Sequence, residues 1–258
     1  MNNLKKKTAL ITGATSGIGK SCAKDLAKKG VNLVLTGRRK VLLSKLKKKL
    51  EQKYDIKVVI LNFDVTNQKQ VEKSLVKLLN TTKIDILINN AGLALDASKI
   101  DECDINDWET MIDTNIKGLL YVSKIIIAHM RKNNSGHIIN LGSIAGEHTY
   151  PNGNVYCATK SAVHTLSEAM NIDLLGTNVR ISNIAPGAVL TEFSDVRFKG
   201  DKKKIDAVYE GYTPLAAKDI SNLILYVLNA PSHVNIQHTL IMPTAQRNPY
   251  MLHRESIK

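Results

Sequence analysis

The chain has 258 residues, of which 43% are hydrophobic and 23% charged, and its formal net charge is +13. This composition is typical of a globular protein, and the length allows one domain with a substantial core. No apolar run approaches the roughly 18 residues of a membrane span, and strand-like sequence from Thr8 onward leaves no room for a signal peptide.

Short apolar segments alternate along the chain with longer segments of helical periodicity. Strands are predicted at 8–11, 31–35, 58–61, 84–88, 137–141, 179–184 and 239–242, and helices at 18–26, 42–50, 115–130, 156–175 and 219–228. Strands that alternate with helices of this length indicate right-handed βαβ units. The sequence therefore predicts an α/β fold, a doubly wound parallel sheet with helices on both faces, in one domain spanning 1–258.

The first predicted strand runs into a glycine-rich turn, Thr12-Gly-Ala-Thr-Ser-Gly-Ile-Gly19. Glycines permit tight backbone geometry, and the N-terminus of the following helix attracts anions. Strand, turn, helix and second strand are the context that a dinucleotide site requires. The predicted cofactor-binding residues of this turn are Gly13, Thr15, Ser16, Gly17, Ile18 and Gly19.

The second predicted strand is followed by Gly37, Arg38 and Arg39, with no acidic residue. NAD sites usually place a carboxylate there to accept hydrogen bonds from the adenine ribose. The planar guanidinium group instead suits a phosphate. The pair therefore predicts NADP(H) as the cofactor, and the alternative is that both arginines begin a solvated helix.

The positive charge elsewhere is interpreted as a solvated surface. Lys45, Lys47, Lys48 and Lys49 alternate with leucines at helical spacing, which predicts an amphipathic helix with a basic outer face. Because no aromatic residues interleave with them, no nucleic-acid partner is predicted. The remaining interpretation is a positive field that attracts an anionic cofactor and substrate.

Two further features concern metals and compartment. The three cysteines are far apart and form no Cys-x-x-Cys pair, which argues against a disulfide framework and a zinc site and fits a reducing cytoplasm. His148 and His164 lack metal-ligand spacing, so no metal is predicted.

Tyr156 and Lys160 are one helical turn apart in the predicted 156–175 helix, and Ser143 follows a predicted strand. Carbonyl reduction needs a proton donor, and lowering a tyrosine pKa of about 10 by about three units requires roughly 4 kcal/mol. A lysine ammonium about 4 Å away supplies energy of that order at an effective dielectric near 20. We therefore predict Tyr156 as general acid/base, Lys160 as the group that tunes its pKa, and Ser143 as the residue that holds the substrate oxygen.

With these motifs in order, the chain resembles the short-chain dehydrogenases/reductases from Thr8 to about Gln246. Asn89-Asn-Ala-Gly92, Asn115-x-x-Gly118 and Pro186-Gly187 with Thr191 are further elements of the resemblance. It implies seven strands, a homo-oligomer (a tetramer favoured over a dimer) and a relay water held by Asn115. It also implies that Asp64 and Val65 contact the adenine, that Asn90 lies beside the adenine ribose, and that Lys160 holds the nicotinamide ribose. Further cofactor contacts implied in this way are Ala91, Gly92, Pro186, Gly187, Val189 and Thr191.

The segment 186–214 is the least regular part of the sequence and is predicted to be a substrate loop. A merely exposed loop is the alternative, and the sequence supports it nearly as well. Its Thr191–Gly200 stretch, together with 108–115 and 153–156, is similar to the NADP-dependent 3-hydroxy acid dehydrogenases. That resemblance implies a small hydroxy or oxo acid such as serine or allo-threonine. Such a substrate needs a cation for its carboxylate, and Arg197 is the candidate, the alternatives being a surface arginine or a contact between subunits. The alternatives are a reductase of a 3-ketoacyl thioester, a sugar or a xenobiotic ketone, and a cofactor-binding sensor without catalysis.

Overall fold

A computed structural model describes residues 4–255 of the chain, and every structural statement below concerns those residues. The strands are β1 Thr8–Ile11, β2 Asn32–Gly37, β3 Val58–Asn62, β4 Ile86–Asn89, β5 Gly136–Leu141, β6 Val179–Pro186, β7 Val189–Leu190, β8 Leu215–Ala216 and β9 His238–Ile241. Seven of them form one parallel sheet in the order β3-β2-β1-β4-β5-β6-β9, while β7 pairs with β8. The predicted seven-stranded, doubly wound sheet is confirmed.

Helices connect the strands and cover both faces of the sheet. They are α1 Gly17–Lys28, α2 Lys40–Lys53, α3 Gln68–Leu79, α4 Ile105–Ile112, α5 Leu119–Lys132, α6 Asn154–Asp173, α7 Phe193–Arg197, α8 Lys202–Tyr209 and α9 Ala217–Leu228. None of the helices in residues 4–255 combines the length and the apolar character needed to traverse a bilayer.

Neighbouring residues of each strand pack into opposite layers. In β1, Leu10 belongs to the cluster that contains Val34 and Ile126, whereas Ile11 belongs to the cluster that contains Ile224. All of these side chains are fully buried or nearly so. Burial of each such side chain contributes about 1.5–3 kcal/mol, so both layers hold the sheet in place.

The strand order reverses between β1 and β4, from which the sheet grows in opposite directions. In doubly wound sheets such a reversal opens a crevice at the carboxyl ends of the strands, where ligands bind. The glycine-rich turn after β1 and the segment after β5 that begins with Gly142 both lie at this edge.

Three local predictions differ from the structure. The helix predicted from Asn115 begins as a π-helical turn, Asp113–Gly118, before α5. The segment 186–214 holds β7, α7 and α8 in place of an irregular loop. Helices α3 and α4 were not located by the sequence analysis, although apolar residues recur in both at helical spacing; side-chain caps at Asn67 and Asp104 begin them.

The basic helix has the predicted arrangement. In α2, Leu43, Leu46 and Leu50 are buried, while Lys45 and Lys48 are exposed. Leu42 differs, since its side chain is also exposed.

Candidate active site

A groove of ≈ 360 Å³ lies at the carboxyl ends of the strands, within the size range of small-molecule sites. Most of the predicted site residues line it. They are Gly13, Thr15, Ser16, Gly17, Ile18, Arg38, Arg39, Asp64, Val65, Asn90, Ala91, Gly92, Ser143, Tyr156, Lys160, Pro186, Gly187, Val189 and Thr191. Gly19, Asn115 and the candidate substrate residue Arg197 do not line it.

The glycine-rich turn needs its glycines for backbone conformation and close approach. Gly13 and Gly17 have φ of +64° and +47°, values that side-chain-bearing residues rarely adopt. A Cβ on Gly13 would lie 3.0 Å from Asn90 Nδ2. Because α1 begins at Gly17, the backbone N–H groups of the turn and the helix end face the same groove. This open cradle fits the pyrophosphate of a dinucleotide.

Gly19 serves packing, and its predicted contact with the cofactor stays a prediction. A Cβ there would lie 2.6 Å from the carbonyl oxygen of Gly13 and 2.5 Å from Asn90 Nδ2. The missing side chain lets α1 pack close to the turn, and Asn90 fastens the turn by donating hydrogen bonds to the carbonyls of Thr12 and Gly13 at 2.9 and 3.1 Å.

Two arginines lie where β2 ends, as predicted. The Arg39 guanidinium donates to Thr15 Oγ1 at 3.0 and 2.8 Å and to Glu192 at 3.0 Å. Arg38 lies 3.6 Å from Asp64, and its side chain is 69% exposed. One cation is thus held in place and the other is accessible, an arrangement suited to a phosphate that arrives from solvent.

Ser143 and Tyr156 meet at the other end of the groove. Ser143 begins the short 3₁₀ turn after β5, and its hydroxyl accepts from the Ala145 N–H at 3.1 Å. Tyr156 lies in the first turn of α6, and its phenol and the Ser143 side chain line the same part of the groove. Burial raises the pKa of Tyr156, the nearby Tyr150 raises it further, and Ser143 and Arg197 oppose that rise. The phenol is therefore neutral near pH 7.

Lys160, the residue predicted to tune the pKa of Tyr156, is held at the end of β5, and the tuning stays a prediction. Lys160 Nζ donates to the Leu141 carbonyl at 2.7 Å and lies 6.0 Å from the centroid of the Tyr156 ring. Helical spacing does place the two side chains on one face, but the buried amine takes the acceptor at the end of β5. Burial lowers the pKa of Lys160 to about 8.

Arg197 lies beside the predicted catalytic tyrosine. The centre of its guanidinium is 5.9 Å from the ring centroid of Tyr156 and 5.5 Å from that of Tyr150. It also donates to the Tyr150 hydroxyl at 3.0 Å and to the Asp96 carbonyl at 3.2 Å. These contacts hold a cation next to the phenol, although Arg197 does not itself line the groove.

Asn115 lies in the π-helical turn and is buried. Its amide donates to the Leu93 carbonyl at 2.8 Å and to Thr159 Oγ1 at 3.0 Å, and its Oδ1 accepts from the Leu93 N–H at 2.9 Å. Both amide hydrogens are therefore used. The side chain positions the Leu93 backbone against α6, and the relay water that the resemblance implies stays a prediction.

Several groove residues were missed by the sequence analysis. Phe193 packs on Tyr156 with ring centroids 5.7 Å apart, and Glu192 joins the groove through Arg39 across 153 residues of sequence. Their only signal was their position directly after Thr191. The other missed residues are Gly37, Phe63, Leu93, Thr114, Leu141, Gly142 and Val196.

Comparisons with known proteins agree with this geometry. Residues 7–202 match the family described as short chain dehydrogenase. The chain is 42% identical over 257 residues to an NADP-dependent 3-hydroxy acid dehydrogenase of Schizosaccharomyces pombe, which covers 99% of each chain. It is also 42% identical over 239 residues to sulfoacetaldehyde reductase 2 of Chromohalobacter salexigens, covering 92% and 94% of the two chains. A solved closed form of serine dehydrogenase complexed with NADP+ superposes with a TM-score of 0.87 at 40% identity, covering 96% of this chain and 100% of that one.

Proposed function

The chain belongs to the short-chain dehydrogenase family, and from that premise we propose that it is an NADP-dependent oxidoreductase of small 3-hydroxy acids. It interconverts a 3-hydroxy acid such as serine or allo-threonine with the corresponding 3-oxo acid or semialdehyde. The observation that carries the substrate class is the Arg197 guanidinium beside the ring of Tyr156, which lines the groove together with Ser143.

NADP(H), when bound, supplies or accepts the hydride. The glycine-rich turn would hold its pyrophosphate, and Arg38 and Arg39 would hold the phosphate on the adenine ribose. Pro186 to Thr191 would line the nicotinamide, and Lys160 would hold its ribose. The NADP-dependent relative from Schizosaccharomyces pombe and the serine dehydrogenase complexed with NADP+ support this choice of cofactor.

Tyr156 acts as the proton donor in the direction of reduction. Its phenol is neutral because burial raises its pKa, so it has a proton to give as the substrate carbonyl oxygen gains negative charge. The O–H bond of Tyr156 breaks, and a bond forms between that proton and the substrate oxygen. The Ser143 hydroxyl donates to the same oxygen and fixes its position.

Arg197 supplies the positive charge for an anionic substrate. A 3-hydroxy acid carries a carboxylate two carbons from the reacting carbon, and a cation near the phenol stabilises it there. Phe193 and Val196, on the same helix α7, line the groove. We therefore propose that the segment 186–214 is the substrate loop, because its helix α7 carries Arg197 and two residues of the groove.

An anionic aldehyde with a sulfonate in place of the carboxylate is the second candidate. The same guanidinium would bind either acid group, and one relative is named as a sulfoacetaldehyde reductase. Longer ketones, sugars and acyl thioesters have no anion next to the reacting carbon and would gain nothing from Arg197.

The test is an initial-rate screen with purified protein. NADP+ reduction is followed with serine, allo-threonine, 3-hydroxybutyrate and 3-hydroxypropionate, and NADPH oxidation with sulfoacetaldehyde and neutral ketones. We expect the highest kcat/KM with a 3-hydroxy acid. The highest kcat/KM with a neutral ketone would refute the proposed substrate class. Absence of turnover with every substrate would favour the alternative of a cofactor-binding sensor without catalysis.

Arg197→Ala is expected to lower kcat/KM for 3-hydroxypropionate by about 10- to 100-fold, because a charge-assisted hydrogen bond contributes about 1.5–3 kcal/mol. Neutral 1,3-propanediol should lose far less. Lys199→Ala is the matched control, because Lys199 pairs with Asp107 at 2.9 Å. Equal losses for the acid and the diol would remove Arg197 from substrate recognition.

Assembly and location are further proposals. We propose that the whole chain, 1–258, forms one domain and that its copies form a tetramer, as the resemblance implies; residues 1–3 and 256–258 lie outside the described ones. The free thiols of Cys22, Cys103 and Cys157 fit a cytoplasmic location.

A further inference from the structure

Glu147, His164 and His238 form a cluster outside the groove. They come from three segments: Glu147 ends the 3₁₀ turn that begins at Ser143, His164 lies on α6, and His238 is the first residue of β9. One ring nitrogen of each histidine and a carboxylate oxygen of Glu147 all lie within 4.8 Å of one another. The proposed oxidoreductase chemistry uses none of the three.

The three side chains already contact one another. His238 Nε2 lies 2.8 Å from Glu147 Oε1, and the two imidazole rings have centroids 4.7 Å apart. The side chains of Glu147, His164 and His238 are 23%, 29% and 33% exposed. A solvated ion can therefore reach the cluster without any rearrangement of the core.

Asn183 supports the cluster from the interior side. Its side-chain amide is buried, and its Nδ2 lies 3.2 Å from Nδ1 of both His164 and His238. Its Oδ1 is buried and has no hydrogen-bond partner among the described residues. A half-turn of this amide would point that oxygen at both Nδ1 atoms, where it would accept an N–H from each ring.

The rotated amide would favour the histidine tautomer that binds a metal ion through Nε2. An imidazole that binds a metal through Nε2 carries its proton on Nδ1, and an acceptor behind that proton orients the ring. Asn183 offers one acceptor to two rings at once. The unpartnered buried oxygen favours this orientation of the Asn183 amide.

We propose that Glu147, His164 and His238 form a binding site for a divalent transition-metal ion, with Zn²⁺ as its test ligand. Two imidazoles and one carboxylate are a ligand set that zinc accepts, with one position left for water. A tetrahedral zinc ion with ligands at about 2.0–2.2 Å holds the ligand atoms about 3.4 Å apart. To bind the ion, His238 Nε2 and Glu147 Oε1 would move slightly apart from 2.8 Å, and the ligand atoms that are up to 4.8 Å apart would approach one another. Rotation of the three side chains would achieve both.

The bound ion would connect the turn after Ser143 to α6 and to the edge strand β9. Its position in sequence explains why the motif analysis could not find it, because Glu147 and His238 are 91 residues apart. Binding therefore stabilises the folded chain, since only the folded chain brings the three residues together.

Equilibrium dialysis of the untagged protein against Zn²⁺ tests the proposal. We expect one ion per chain, binding at least 10-fold weaker in His164→Ala, His238→Ala and Glu147→Gln, and no binding of Mg²⁺, which prefers oxygen ligands. His233→Ala, an exposed histidine five residues before His238, is the matched control and keeps the parent's affinity. Cys103→Ser also keeps it.

Thermal unfolding of the same proteins gives a readout that does not depend on activity. Zinc at about 100 times the parent's Kd should raise the parent's Tm by on the order of 5 °C and that of Glu147→Gln by about half as much or less. The Glu147→Gln variant keeps the size of the side chain, so it addresses the site even if a histidine variant fails to fold. Absence of saturable binding, equal binding in the cluster variants and the parent, or loss of binding in Cys103→Ser would overturn the site.

Discussion

At the scale of single residues, burial and neighbouring groups together determine the pKa of the catalytic side chain. The phenol of Tyr156 is buried, its pKa is raised, and Ser143 and Arg197 oppose that rise. An acid with a raised pKa keeps its proton at neutral pH, which suits the proton donor in reduction. Reduction consumes one proton and oxidation releases one, and we propose that this proton passes through the phenol of Tyr156.

The choice of cofactor belongs to the same scale. Arg38→Ala is expected to weaken NADPH binding by about 10- to 100-fold, because it removes a charge-assisted contact with the ribose phosphate. NADH lacks that phosphate, so its Kd should change far less. Fluorescence titration of both cofactors measures the difference, and Lys40→Ala, the adjacent exposed cation, serves as control. Similar losses for both cofactors would contradict the assignment of the phosphate site.

At the scale of elements, the strands and the glycine-rich turn were predicted, whereas helices α3 and α4 were missed. The strand β1 and the glycine-rich turn lie as predicted, because a buried apolar run and φ-positive glycines leave few alternatives. Helix α3 buries Val71, Leu75 and Leu78 at helical spacing and begins at the Asn67 cap, which accepts from Gln70 N–H at 3.0 Å, so the sequence did carry a signal for this helix. A π-helical turn such as Asp113–Gly118 has no sequence signature.

Strand β5 carries a buried histidine that makes the fold sensitive to acid. Burial lowers the pKa of His137 to about 3, and its Nε2 lies 2.8 Å from Ser182 Oγ on the neighbouring strand. The unfolded chain binds a proton at this residue below about pH 6.5, while the folded chain does not. Stability is therefore lost as pH falls from about 6.5 toward 3, by up to about 1.4 kcal/mol per pH unit.

His137→Gln should remove this dependence, because glutamine is neutral throughout and can still contact Ser182. Urea unfolding at pH 4 and at pH 7 measures it: the variant is expected to lose about 2–3 kcal/mol less than the parent between the two values. His253→Gln, at an exposed position near the end of the described chain, should behave as the parent does. Identical pH dependence in His137→Gln and the parent would show that this histidine is not the cause.

At the scale of the whole molecule, long-range polar pairs join parts that the sequence could not relate. Arg39 reaches Glu192, which connects the cofactor end of the groove to the proposed substrate loop. Asp25 on α1 pairs with Lys218 and Ser221 on α9 at 2.5 Å each. In a chain with 36 basic and 23 acidic residues, each charge has many possible partners. Only the folded chain selects among them.

The same reason limits what the motifs could say of the site. Residue spacing was enough to predict that Ser143, Tyr156, Lys160 and the glycine-rich turn share one groove. It could not show that Lys160 turns to the Leu141 carbonyl, because that depends on where a buried amine finds an acceptor. The neighbourhood of Arg197 also depended on α7, which the sequence did not reveal.

The central claim is that the phenol of Tyr156 moves the proton while other groups bind the cofactor. Steady-state turnover and NADPH Kd, measured side by side in the parent and in Tyr156→Phe, test it most directly. We predict that kcat falls by about 10²–10⁴-fold while Kd stays within about twofold, because phenylalanine keeps the ring but lacks the proton. Turnover in Tyr156→Phe close to that of the parent would contradict the account.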